Sequence, residues 1–306
     1  MKTYLAPITL SLCFAMAVAC HGQTYTPDMD NGADWTIVAD EDTNYEFGFD
    51  YSKFGIPSSP NGDGTTGLWM AANLVAPGAA QTLSATPNGI SMSGKYEVKF
   101  DFWLNFNTSG GTTEAGGAFV GFDAADGSPT SGAGFIGNTD GDSSRDYQLF
   151  KDGSEQFIES GQYDIPSQDH TNAVLAAQFP GQTTPAEQND GGVFSPTNVI
   201  VTAQDGTLAY AWHEMVVTVD SDAGTANFAI DGFSIGTVDS NVGDAVDLAG
   251  GVALTYRDPF GSVASKPEFA FGIFDNLTIT QVPEPSSALL ALLGLLGFAG
   301  IARKRS

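Results

Sequence analysis

"YEVKFDFWLNF", Tyr96–Phe106, alternates apolar with other side chains along its whole length. Successive side chains of an extended strand point to opposite faces. Tyr96, Val98, Phe100, Phe102, Leu104 and Phe106 therefore share one side, and Glu97, Lys99, Asp101, Trp103 and Asn105 the other. Six large apolar groups on one side have to be buried, so this segment is a core strand pressed against a second layer.

Outward from it, short alternating runs separated by Gly, Asn, Asp, Ser and Pro recur, while helical periodicity is scarce. This pattern predicts an all-β, two-sheet sandwich. Strands are expected at Tyr45–Tyr51, Gly117–Phe122, Tyr147–Lys151, Asn198–Ala203, Met215–Asp220, Ala226–Ile230, Phe269–Phe274 and Leu277–Gln281. "MVVTVDSDAGTANFAIDG" predicts a hairpin turning at Ser221–Gly224, where Asp and Gly supply the turn dihedrals. Gln162–Ser195 is polar and Pro-containing and reads as a long loop, and no internal repeat points to a solenoid or propeller.

Two stretches carry a resemblance. "WHEMVVTVDSDAGTANFAIDGFSIGTV", Trp212–Val238, is similar to a strand pair of laminin-G-like and concanavalin A-like jelly rolls, and "FAFGIFDNLTIT", Phe269–Thr280, looks like their closing strand. Phe47–Leu74 and Gly141–Phe150 resemble segments of secreted bacterial proteins of this kind. The resemblance implies a concanavalin A-like jelly-roll sandwich and speaks to fold far more than to function.

The two ends differ in kind from the middle. Leu5–Ala19 is apolar, follows Lys2 and has small residues at Ala17 and Ala19, as a secretory signal peptide does, with cleavage expected near Ala19 or Gly22. "AVAC" is a weak lipobox, which leaves lipidation of Cys20 open; Cys13 lies inside the signal, so the mature protein has no internal disulfide. At the other end, Ala288–Ala302 is an uncharged run of 15 residues followed by Arg303, Lys304 and Arg305. As a helix the run reaches roughly 22 Å, short of the roughly 30 Å hydrocarbon core. The basic triplet can snorkel and, by the positive-inside bias, stays cytoplasmic. Val282, Pro283, Glu284 and Pro285 precede the run as an extended, accessible peptide.

An accessible "VPEPS", a short apolar helix and a basic stop together resemble the PEP-CTERM sorting tail of exopolysaccharide-producing Gram-negative bacteria. That resemblance implies recognition of Val282, Pro283, Glu284 and Pro285, with Arg303, Lys304 and Arg305, by a membrane-embedded exosortase. It implies transient anchoring in the inner membrane, processing near the Pro-Glu-Pro, and delivery to the cell surface or extracellular matrix. The expected organisation is a signal peptide over 1–22, one β-sandwich over 23–281 and the sorting tail over 282–306.

Thirty-five of the 36 acidic residues but only seven of the 11 basic ones fall within Gln23–Gln281, and the whole chain carries a formal charge of -25. Such a surface repels nucleic acid and anionic lipid as partners. It suits solubility in salt and is compatible with calcium.

Candidate chemistry is sparse. A Glu-x-Asp-x-(x)-Glu strand, the carboxylate pattern of jelly-roll glucanases, does not occur; Glu155 with Glu159, and Glu97 with Asp101, read better as solvated faces. His21, His170 and His213 are scattered, and no Cys/His cluster suggests zinc. "GNTDGDSSRD" gathers Asn138, Asp140, Asp142 and Asp146, hard oxygen donors of the type calcium takes, although the spacing is not that of an EF-hand. "NGDG", Asn61–Gly64, is a second calcium candidate. Asp101, Trp103 and Asn105, together opposite the apolar face, offer a flat aromatic and hydrogen-bonding groups to a sugar; taken singly, the Trp is better explained by covering an edge or packing under a loop. Trp35 and Trp69 lie in loop-rich context. These observations lead to an exported surface protein with no catalytic role, binding exopolysaccharide or serving as a structural element. A glycoside hydrolase with an unrecognised carboxylate pair is the alternative.

Overall fold

In β6 (Lys95–Asn105), Tyr96, Val98, Phe100, Phe102 and Leu104 are all buried against a second sheet, as their alternation requires. The computed structural model describes residues 22–75, 78–106, 113–139, 147–156, 172–188, 202–264 and 266–283, with the backbone alone at 155 and 156. Gln23–Val282 gathers into one compact unit.

Sheet one holds β1 (Thr24–Tyr25), β3 (Thr43–Asp50), β4 (Thr66–Ala72), β6, β11 (Trp212–Asp220), β12 (Thr225–Ile230), β13 (Phe233–Asp239) and β15 (Phe271–Gln281). Their order is β13-β12-β11-β6-β15-β4-β3, with β1 beside the far end of β15. Sheet two holds β2 (Trp35–Ala39), β5 (Gln81–Pro87), β7 (Ala115–Phe122), β8 (Ala133–Asn138), β9 (Tyr147–Lys151), β10 (Ser154–Gln156) and β14 (Gly251–Asp258), ordered β10-β9-β8-β7-β14-β5-β2. The named strands all pair antiparallel, and the two sheets enclose the main core, forming a jelly-roll sandwich.

The expected hairpin is present: β11 and β12 pair through Asp220 and Thr225, and Gly224 has φ 75°. Two expected strands, Phe269–Phe274 and Leu277–Gln281, are one strand, β15, broken by a bulge between Asp275 and Thr278 where Asn276 takes φ 55°. Phe106 leaves the core face: it lies past the end of β6 and stacks on Tyr210 at 4.8 Å. Trp35 and Trp69 sit in β2 and β4, not in loops. Within the expected long loop, Asn172 caps a short helix, α1 (Ala173–Gln178), by accepting from Val174 N and Leu175 N. Of the expected strand Asn198–Ala203, Thr202 makes an isolated bridge to Thr183, Ala203 N donates to the Gln182 carbonyl, and 198–201 lie outside the described residues.

Strands β4, β8 and β14 are buried on both faces and therefore show no alternation to read. A second apolar cluster containing Tyr51, Trp103, Tyr210, Phe271 and Ile273 covers part of the outside of sheet one. A third, with Phe119, Ile136 and Phe150, covers the outside of sheet two.

Candidate functional site

Asp101, Trp103 and Asn105 do share the outer face of β6, but that face is covered where they stand: their exposures are 0%, 4% and 0%. Trp103 packs on Trp212 with ring centroids 6.0 Å apart, and Trp212 is pinned by its Nε1 donating to the Pro57 carbonyl. Asn105 donates to the Phe269 carbonyl and exchanges hydrogen bonds with Gln188. The open aromatic platform expected from the alternation is thus replaced by a packed aromatic layer under the Tyr51–Pro57 segment. A Trp on this face loses less by being roofed with other aromatics than by standing in water.

Asp101 has a different role. Its carboxylate accepts from Asn61 N (3.1 Å), Asn61 Nδ2 (2.7 Å) and Asn276 Nδ2 (2.9 Å). Opposite it across the β6–β15 ladder stands Asp275, which accepts from the Tyr51 hydroxyl, Ser59 Oγ and Asn276 N. Burial raises the Asp275 carboxyl above its ordinary value, these donors pull it back, and the Asp101 charge adds to the rise. Burial, then the neighbouring Asp275 charge, raises the Tyr51 hydroxyl.

This network fixes the floor of a cleft of about 400 Å³. β15 pairs with β4 only through Gly272–Phe274 and with β1 only at Ile279 and Thr280, so Asp275–Thr278 lacks a strand partner on that side. Into the gap come Thr26–Asp30 on one wall and Asn61–Gly64 with Thr66 on the other. Asp28, Asp30, Asn61 and Asp63 are exposed at the rim, while Met29 and Leu277 are buried at the base. A Cβ on Gly62 would come within 2.6 Å of Asn276 Oδ1, so glycine is what lets the "NGDG" loop close on β15. Two stretches singled out in the sequence, "NGDG" and the closing strand "FAFGIFDNLTIT", meet here; what alternation could not show is that Asp101 joins them.

The remaining candidates separate. Asn138 is buried at the end of β8, whereas Asp140, Asp142 and Asp146 lie outside the described residues. Glu159, His21 and His170, with Glu284, Pro285, Arg303, Lys304 and Arg305, also lie outside them, and Val282 and Pro283 follow β15 directly. Among the described residues no three His, Cys, Asp or Glu side chains are grouped to hold a metal, and no helix is long and apolar enough to cross a membrane. His213 is buried between Phe102 and Phe179 and bonds Asp231 through Nδ1 at 2.7 Å. A second hollow, of about 510 Å³, is lined by Asp123, Asp126, Asp152 and Asp247. Each of these carboxylates accepts a backbone N–H from a nearby residue (Ala125, Ser128, Gly132 and Ala249), which accounts for them as turn and loop supports.

Residues 281–306 match the PEP-CTERM protein-sorting motif. No curated protein sequence matches the chain. Among solved structures, a carbohydrate-binding module from Bacillus subtilis is similar at 11% identity, TM-score 0.39, over 83% of this chain and 100% of that one. Peanut lectin is similar at 9% identity, TM-score 0.39, over 86% and 99%, and the Crh5 transglycosylase at 10% identity, TM-score 0.39, over 86% and 85%. Each is a similarity of fold alone. The chain is an all-β jelly-roll sandwich carrying a PEP-CTERM sorting signal, the mark of an exported protein sorted at the membrane for the cell surface.

Proposed function

We propose that this protein is a surface or matrix component whose sandwich binds extracellular polysaccharide, without catalysis, in the cleft between Asn61–Gly64 and Asp275–Thr278. The observation that carries the reading is the Asp101 network. It fixes Asn61 at the rim and Asn276 in the lining of a polar cleft, and sugar hydroxyls, each both donor and acceptor, are bound best by amides and carboxylates already fixed in place. A non-catalytic role is supported by the state of the carboxyl pairs. Asp101 and Asp275 are committed to hydrogen bonds with the cleft's own frame. Glu114 and Asp258 are sealed inside the sandwich, out of reach of a glycan. The sorting tail supplies the location: after processing near Pro283–Pro285 the sandwich is released from the inner membrane into the matrix.

The test is saturable binding of the purified protein to the producer's exopolysaccharide and to a glycan panel, with Asp63→Ala as the variant at the exposed rim. Binding that Asp63→Ala weakens at least tenfold, with its melting temperature unchanged, supports the reading. Absence of binding to any glycan makes the protein a structural matrix element. For the tail, the mass of the surface form should lack Ser306; a full-length mass there contradicts processing.

A further inference from the structure

Asp101 and Asp275, and Glu114 and Asp258, are two carboxyl pairs that face one another across antiparallel ladders, and they are provided for very differently. Asp101 and Asp275 receive several side-chain and backbone donors between them. The second pair is inside. β7 and β14 place Ala115 opposite Arg257 and Gly116 opposite Tyr256, so the next position outward sets Glu114 opposite Asp258. Tyr256 belongs to the inner core, so by alternation Glu114 and Asp258 face inward with it, at a position where directly opposed Cβ atoms stand about 4.5–5.5 Å apart.

Glu114 is 0% exposed and Asp258 3%. Glu114 Oε2 accepts from the Tyr256 hydroxyl, and Asp258 Oδ1 accepts from Phe260 N. Asp258 is also bonded by the side chain of Asn73. Asn73 is itself buried, held at φ 51° where the chain leaves β4, and anchored by Nδ2 donating to the Phe260 carbonyl. Two oxygens are left over: Glu114 Oε1 and Asn73 Oδ1 are buried without a hydrogen-bond partner. Arg257, the chain neighbour of Asp258, lies over the Phe150 ring on the outer side of sheet two. Two acidic side chains and the amide bonded to one of them thus share an interior site in which two oxygens have no donor among the described residues, an arrangement costly by itself and relieved by a cation.

The geometry points to a buried divalent-cation site formed by Glu114, Asp258 and the Asn73 side-chain carbonyl, taking Ca²⁺. An all-oxygen donor set of two carboxylates and an amide is the chemistry of calcium, not of zinc or copper. The assignment stands whether or not the cleft binds sugar.

The experiment uses the full-length protein purified in detergent, stripped with EGTA, at pH 7.5. Ca²⁺ is followed by titration calorimetry and melting temperature, and Tb³⁺ by luminescence excited through tyrosine, since Tyr256 touches Glu114. The expected result is a saturable site that raises the melting temperature by several degrees and lights Tb³⁺, reversed by chelator. Glu114→Gln, an isosteric change that removes one charge, should keep the β-sheet circular dichroism and weaken Ca²⁺ at least tenfold, and Asp258→Asn should do the same. Weak binding to surface carboxylates would persist unchanged in both variants. The inference is overturned if the wild-type melt ignores millimolar Ca²⁺, or if Glu114→Gln, still folded, responds to Ca²⁺ as the wild type does.

Discussion

His213 Nδ1 and Asp231 Oδ2 are 2.7 Å apart, and the other oxygen of the same carboxylate accepts Glu214 N, so one side chain ties the β12–β13 turn to the start of β11. Asp231 and Gly232 both take positive φ, 51° and 75°, the requirement of the two-residue turn that matches strand twist. Asp231→Ala removes both bonds and puts alanine in the left-handed region. It should cost about 2–4 kcal/mol. Asp231→Asn, which tolerates that region and keeps an acceptor for Glu214 N, should cost roughly half as much. Urea denaturation of the two variants decides; equal losses would mean the turn conformation contributes nothing.

Truncating Asp101 removes three hydrogen bonds from Asn61 and Asn276, although Asn61 Nδ2 still reaches Glu214 and Asn276 Nδ2 still reaches Ser59. Asp101→Ala is therefore expected to destabilise by about 1–3 kcal/mol, the lost bonds being charge-assisted but their donors partly open to water. Glycan binding should fall along with it, since the cleft loses its floor. A variant that melts like the wild type would show that the network is not closed in solution.

Trp103→Ala tests the aromatic layer. A side chain this deeply packed against Trp212 should cost about 3–5 kcal/mol on removal. Glycan affinity per folded molecule should stay the same. Loss of affinity at unchanged stability would instead give Trp103 the open, ligand-facing role that its place on the strand suggested.

Acid should stabilise the chelated protein. Burial raises Glu114 and Asp275 above the ordinary carboxylate value and lifts Asp258 from 3.8 to about 6. A carboxyl whose folded value is raised binds its proton more tightly folded than unfolded. The stability it contributes is full below the ordinary value and is lost as pH rises through the folded one. For Asp258 the window runs from about pH 4 to about pH 6, worth on the order of 3 kcal/mol. Urea midpoints in EGTA should be higher at pH 5 than at pH 7.5, and the reverse order would count against the burial of these groups.

What could be read in advance follows from what each strand touches. β6, β11 and β12 have one inner face and one outer face that stays partly wet over much of its length, and their alternation marks them as strands at once. β14, "GVALTYRD", is covered on both sides, so its sequence carries no period, and its place between β7 and β5 in the interior of sheet two becomes visible only in the fold. Asp101 was legible as a polar residue on the outer face, but its partners Asn61 and Asn276 are 40 and 175 residues away. Glu114 shows the same limit more sharply. Nothing in "TTEAGG" distinguishes it from a loop acid, because its meaning comes from the register that sets it against Asp258.

The way β15 ends has a mechanical consequence. Gln281 N donates to the Gln23 carbonyl and Val282 N to the Lys95 carbonyl, and the sorting tail continues from that point. β15 is held by β6 on one side and, on the other, by β4 at Gly272–Phe274 and by β1 at Ile279 and Thr280. A pull transmitted through the tail acts along the axis of an interior strand and strains many ladder bonds in shear at once, where an edge strand would peel away one bond at a time. While the tail remains attached, the protein is tethered by one of the strands best suited to bear tension.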